Sequence, residues 1–164
     1  MKEIKPTIVI DTREQNPLVF ENCLTEPATL TTGDYSIKHL DTLFSVERKS
    51  VSDLTSSLTQ GRERFIREML RLRSYEFRRL LIIGTRQQIQ DHDYRSRAAP
   101  NAILGSLNTF EIRYSIPVVF IKSRSKAAEQ VEIWARYYFS EKIKQAQSII
   151  ALTDPQASHK EGKV

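Results

Sequence analysis

Cysteine is almost absent, with Cys23 the only one in 164 residues. A single thiol excludes an internal disulfide framework and any cysteine-rich zinc site, and it fits a reducing compartment. Long apolar runs are missing as well. The longest, such as Leu80-Leu81-Ile82-Ile83, falls far short of the roughly 18 residues that span a bilayer. Met1-Lys2-Glu3-Ile4-Lys5-Pro6 lacks the apolar stretch of a secretory signal. The expectation is an intracellular protein, of cytoplasm and nucleoid or of the nucleus, with no membrane partner. His39, His92 and His159 have no ligand or catalytic spacing, and neither a GxxxxGK[ST] phosphate loop nor a GxSxG elbow occurs. ATP use and covalent acyl transfer therefore have nothing to rest on.

What is present is an ordinary packed globule, 40% hydrophobic and 27% charged. The length suits one domain over residues 1–150, with the polar stretch 151–164 expected to be a disordered tail. The net charge is +5 and the pI about 9.4. Most of the surplus is local: between Arg62 and Arg79 there are seven arginines against three glutamates, Glu63, Glu68 and Glu76. Such a segment is either a solvated helix face whose arginines pair with glutamates one turn away, or a surface for a polyanion.

Periodicity predicts alternating strands and helices. Thr7-Ile8-Val9-Ile10-Asp11 reads as a strand, and a loop holding Pro17 and Pro27 follows. Gly33 marks a turn before two alternating segments, Tyr35 to His39 and Leu43 to Lys49, which read as a hairpin. Ser50 and Asp53 mark a helix start, and a second helix follows Gly61 with Phe65, Ile66, Met69, Leu70 and Leu72 on its apolar face. Arg79 to Ile83 and Pro117 to Lys122 read as strands, Pro100 to Tyr114 as a helix, and a last helix runs from about Ser125 past Lys144. That order predicts an α/β domain of three layers, a mixed central sheet flanked by helices.

Strand alternation places Glu47 and Lys49 on one face and Arg48 on the other. If Leu40 and Asp41 are the hairpin's central residues, Tyr35 faces Val46 and Asp34 stands across from Glu47. Two carboxylates so opposed repel unless a cation sits between them, and hard oxygen donors suit Mg²⁺ or Mn²⁺. Lys49 beside them would neutralise charge on a phosphate, and Asp11 and Glu14 would bring further acid to the same place. The plainer alternative leaves Glu47 and Lys49 as a surface ion pair and Asp34 as a turn residue. Asp53 is either a helix cap or a group standing behind the metal ligands.

Ile10-Asp11-Thr12-Arg13-Glu14, then Gly33-Asp34, then Glu47-Arg48-Lys49 with Asp53 resembles the nuclease domain of the XPF/Hef structure-selective endonucleases, whose signature is GD, a spacer, then ERKxxxD. The resemblance extends through Ser56-Ser57-Leu58 and Gly61-Arg62 to Ser106-Leu107 and Ile116-Pro117-Val118-Val119. It implies the restriction-endonuclease-like form of the three-layer fold. It also implies cleavage of branched or flapped DNA with Mg²⁺ or Mn²⁺, in repair or recombination. Asp34, Glu47 and Asp11 become the metal ligands, and Lys49 the catalytic lysine. Glu14 and Arg48 become active-site residues and Arg13 and Arg62 DNA-binding residues, while the charged helix face of Arg64, Arg67 and Arg71 is expected to supply the domain's own grip on DNA. The resemblance further implies a homodimer through the C-terminal half, which points to the Ala102 to Tyr114 helix, the Pro117 to Lys122 strand and the helix bearing Val131, Trp134 and Tyr138. Those apolar residues equally suit a monomer core. The family commonly adds a helix-hairpin-helix module or a helicase, for which this sequence leaves no room, so a separate DNA-binding or helicase partner is expected to help. The alternative function is a noncatalytic DNA-binding scaffold subunit, since the family pairs active chains with degenerate ones.

Overall fold

The β-branched and aromatic segments of the chain pair into one sheet. The computed structural model describes residues 4–154. Strands β1 (Thr7–Asp11), β2 (Leu24–Ala28), β3 (Tyr35–Ile37) and β4 (Phe44–Ser50) precede helices α1 (Val51–Leu58) and α2 (Arg62–Leu72). Strand β5 (Phe77–Ile83), helices α3 (Arg86–Gln90) and α4 (Pro100–Tyr114), strand β6 (Val118–Ile121) and helix α5 (Arg124–Thr153) complete the described residues. The sheet order is β2-β1-β3-β4-β5-β6. β3 runs antiparallel to β1 and β4, and the other neighbours are parallel. This is the expected mixed sheet with helices on both faces.

Two cores follow from strand alternation. Leu80 and Ile82 face one way, towards Leu54, Phe65, Met69, Leu107 and Phe110 of α1, α2 and α4. Leu81, Tyr35, Phe44 and Val46 face the other way, towards Ala127, Ala128, Val131 and Ala135 of α5. The small residues on α5 let a long helix lie close against the sheet. Val131 is fully buried, and Phe77 packs at aromatic distances against Trp134 and Tyr138. Val131, Trp134 and Tyr138, considered for a dimer face, thus pack into the monomer core.

Several expectations change. β2 lies where a loop was expected: Pro27 weakens any strand reading, and only an edge strand accommodates it easily. The hairpin register holds at Tyr35 and Val46, but the connection is longer than two residues. His39 adopts φ 68°, and the Leu40 carbonyl accepts from the Leu43 and Phe44 N–H groups. Leu70, assigned to an apolar face, is exposed. α3 was missed because five residues carry no periodic stripe. Residues 151–153, assigned to the tail, continue α5, and residues 155–164 lie outside the described residues.

Candidate active site

The second half of β4 carries the chemistry, because the strand leaves the core there and turns into α1. Glu47 and Lys49 project towards α2 and form an ion pair of 3.2 Å, each about one-eighth exposed. The Lys49 ammonium also lies 4.0 Å from Glu68 and 4.8 Å from the centre of the Phe65 ring. Phe65 and Glu68 are three apart on α2 and share a face.

Asp34 arrives from the other strand through Gly33, whose φ of +84° is open to glycine at little cost. The ladder ends at Tyr35 and Val46, so Asp34 is not a ladder partner of Glu47. Instead its N–H donates to the Val46 carbonyl at 2.9 Å and its carboxylate accepts the Arg48 N–H at 2.7 Å. Asp34, Glu47 and Lys49 line one cavity of about 250 Å³. Burial, then the neighbouring Glu47 charge, pushes the Asp34 carboxyl up to about 8 against an ordinary 3.8. Glu47 is raised too, mainly by burial, with Lys49 opposing and Glu68 adding to it. Two acids that resist ionising side by side are what a bound cation would relieve.

Asp11 is buried in the wall of the same cavity. Its carboxylate accepts from Arg13 at 2.9 and 3.3 Å and from the Leu30 N–H at 2.9 Å, which uses about three of its four acceptor positions. Among the described residues no three His, Cys, Asp or Glu side chains are gathered closely enough to hold a metal ion. Asp34 and Glu47, with Asp11 in the wall beside them, make a donor set that fits a hard cation taking its remaining oxygens from water and phosphate. Thr32, also in this wall, buries its Oγ1 without a hydrogen-bond partner among the described residues.

Glu14 and Arg48 lie on the opposite face of β4, joined at 2.7 and 3.2 Å and nearly enclosed. The pair anchors the strand segment whose N–H holds Asp34, so Glu14 adds no side chain to the cavity itself. Arg64 and Arg71 line the cavity and Arg67 does not. Arg62 turns away from it: its guanidinium donates to Ser106 Oγ at 3.0 Å, tying α2 to α4. Ser50 Oγ caps α1 by accepting the Asp53 N–H at 3.0 Å. The exposed Asp53 side chain borders a neighbouring cavity of about 380 Å³.

Glu68 is the residue that sequence reasoning passed over. Its four-residue spacing from Arg64 gave it a sufficient surface role, and that pair does form at 3.2 Å. The available signal was that Phe65, a core residue, lies three positions away, so Glu68 borders the buried face of α2.

The model of the ERCC4 domain matches residues 10–133. The fold is similar to XPF from Aeropyrum pernix, with TM-score 0.68 and 24% identity over 89% of this chain and 73% of that one. It is also similar to XPF from Aeropyrum pernix in complex with DNA, with TM-score 0.66 and 23% identity over 84% of this chain and 66% of that one. No curated protein matches the chain.

Proposed function

The chain belongs to the ERCC4 domain family, and from that premise we propose that it is a metal-dependent endonuclease cutting branched or flapped DNA. The observation that carries the reading is the convergence of Asp34, Glu47 and Lys49 on one cavity whose rim bears Arg64 and Arg71. Asp34 and Glu47 would hold Mg²⁺ or Mn²⁺, which when bound supplies Lewis-acid polarisation of a phosphoryl oxygen. Lys49, already turned into the cavity, sets its ammonium against the charge that builds on the phosphoryl oxygens during in-line attack. Arg64 and Arg71 grip neighbouring phosphates and make binding salt-dependent and largely indifferent to sequence. The solved relative of the same fold in complex with DNA supports this substrate class. No described helix is long and apolar enough to cross a membrane. Homodimerisation through α4 and α5 is part of the proposal, resting on Ile112, Ile133 and Tyr137, which the fold leaves exposed.

The test is cleavage of end-labelled splayed arms, flaps, plain duplex and single strands by the purified chain with Mg²⁺, Mn²⁺ or EDTA. Wild type is expected to cut near the branch with metal only. Glu47→Ala and Lys49→Ala are expected to lose at least about a thousandfold in rate while keeping fold and DNA binding. Full-rate cutting by either variant would remove the assignment, and binding without cutting under every metal would favour the scaffold function.

A further inference from the structure

Beside the cavity holding Asp34 and Glu47 lies the larger one of about 380 Å³. The two share Lys49, Arg64 and Glu68. Its far wall is polar: Ser57 near the end of α1 and Gln60 just beyond it line it with side chains that make no hydrogen bond among the described residues, and the exposed Asp53 adds a carboxylate at its border. Glu68 stands in the shared wall with two cations on it, Arg64 Nε at 3.2 Å and Lys49 Nζ at 4.0 Å. Their circumstances differ. Arg64 is 83% exposed, so its pair with Glu68 is weakly held and easily exchanged. Lys49 is nearly enclosed by Glu47, Glu68 and the Phe65 ring.

An anion that holds one loose arginine and one enclosed lysine at the mouth of a cavity lined by Ser56, Ser57 and Gln60, with Asp53 at its border, occupies the position of a ligand phosphate. We propose that this second cavity seats the phosphodiester next to the one cleaved, and that Glu68 takes that phosphate's place in the free protein, holding Arg64 and Lys49 ready. This rests on the nuclease reading of the adjoining site. When DNA enters, Arg64 exchanges the carboxylate for the phosphate, with which it can make the same charge-assisted, bidentate contacts. Glu68 stays with Lys49 and fixes where its ammonium points, which makes Glu68 a positioning residue.

The consequence is a split of opposite sign. In Glu68→Gln the incoming phosphate meets no carboxylate and Arg64 is already free, so DNA binds more tightly. Lys49 loses one of its two acidic supports, so turnover falls. A purely structural role would weaken both. The full chain is assayed by fluorescence anisotropy on a splayed-arm DNA in Ca²⁺ and by single-turnover cleavage in Mn²⁺. Glu68→Gln is expected to bind about threefold more tightly and to cut at least about tenfold more slowly, with Glu68→Asp recovering part of the rate. Gln60→Glu, an exposed isostere that places charge in the cavity, is expected to weaken binding about tenfold. Arg64→Gln should lower the slope of log affinity against log salt by about 0.9. A single neutral methylphosphonate walked along the strand should weaken wild type at one position beside the cut, and there cost Arg64→Gln nothing more. A Glu68→Gln chain of unchanged melting temperature that binds no tighter, or additive losses at every methylphosphonate, overturns the proposal. Should no metal support cleavage, the nuclease reading falls by itself, and the binding pattern alone decides the cavity.

Discussion

At the scale of single residues the site is governed by burial of like charge. Asp34 keeps its proton to about 8 when folded, whereas an unfolded aspartate releases it near 3.8. Across that window the folded metal-free chain holds a proton that the unfolded chain has lost, so the contribution of Asp34 to stability is full below about pH 4 and declines as pH rises towards about 8. Glu47 is shifted in the same direction and adds to the decline. Melting temperatures measured in EDTA from acid to mildly alkaline pH should show this fall, and Asp34→Asn should flatten it. A variant whose slope matches wild type would place the titration elsewhere. The same residues mark how far sequence carried the site. Glu47 and Lys49 were legible because a strand repeats every two residues, and Asp34 because the hairpin register set it across from Glu47. The commitment of Asp11 to Arg13 and Leu30 was not, since it depends on a backbone N–H 19 residues away.

At the scale of elements the site depends on how two segments enter it. Gly33 holds φ +84°, and a Cβ there would run into Ser45 Oγ and crowd the Val46 carbonyl at 3.1 Å. Ser45 is fully buried and donates to the Thr32 carbonyl at 2.9 Å, so it cannot step aside without breaking that bond. Gly33→Ala should therefore cost about 3 kcal/mol in a denaturant titration, backbone strain and overpacking together, and should displace Asp34. Arg62 gives a contrasting case. It was expected to bind DNA, yet it joins α2 to Ser106 and to the Leu58 carbonyl. Arg62→Ala should lower stability by about 1 kcal/mol, or roughly 2 to 4 °C, and leave the salt slope of DNA binding unchanged. A slope reduced by about one phosphate contact would return Arg62 to the interface. Sequence could not separate the arginines of α2, because which of them reach the cleft is set by how the helix docks on the sheet. β2 escaped notice for a related reason: with Leu24 exposed and Pro27 inside it, its strand character comes from pairing with β1.

At the scale of the whole molecule, both faces of the sheet are covered and β6 is left at one edge between α4 and α5. Its residues Val118, Val119, Phe120 and Ile121 are all only partly buried. The core-forming stripes of the two helices were legible in the sequence from their spacing. What they leave outside was not, because exposure is decided by the docking angle of each helix. Ile112 of α4 is 83% exposed and Tyr137 of α5 is 75% exposed, and a partly open apolar edge strand with such side chains on the flanking helices is costly to leave in water. The proposed homodimer would cover them with a second copy and keep both cation-lined clefts free, since the catalytic residues sit on β4 and α2. Sedimentation of the full chain at micromolar concentration should give twice its 19.0 kDa mass. Ile112→Asp and Tyr137→Asp should each shift it to the monomer without lowering the melting temperature of the monomer itself, because neither side chain supports the core. A wild-type chain that sediments as a monomer at every concentration tested would withdraw the dimer, and would leave α4 and α5 to a partner of different sequence.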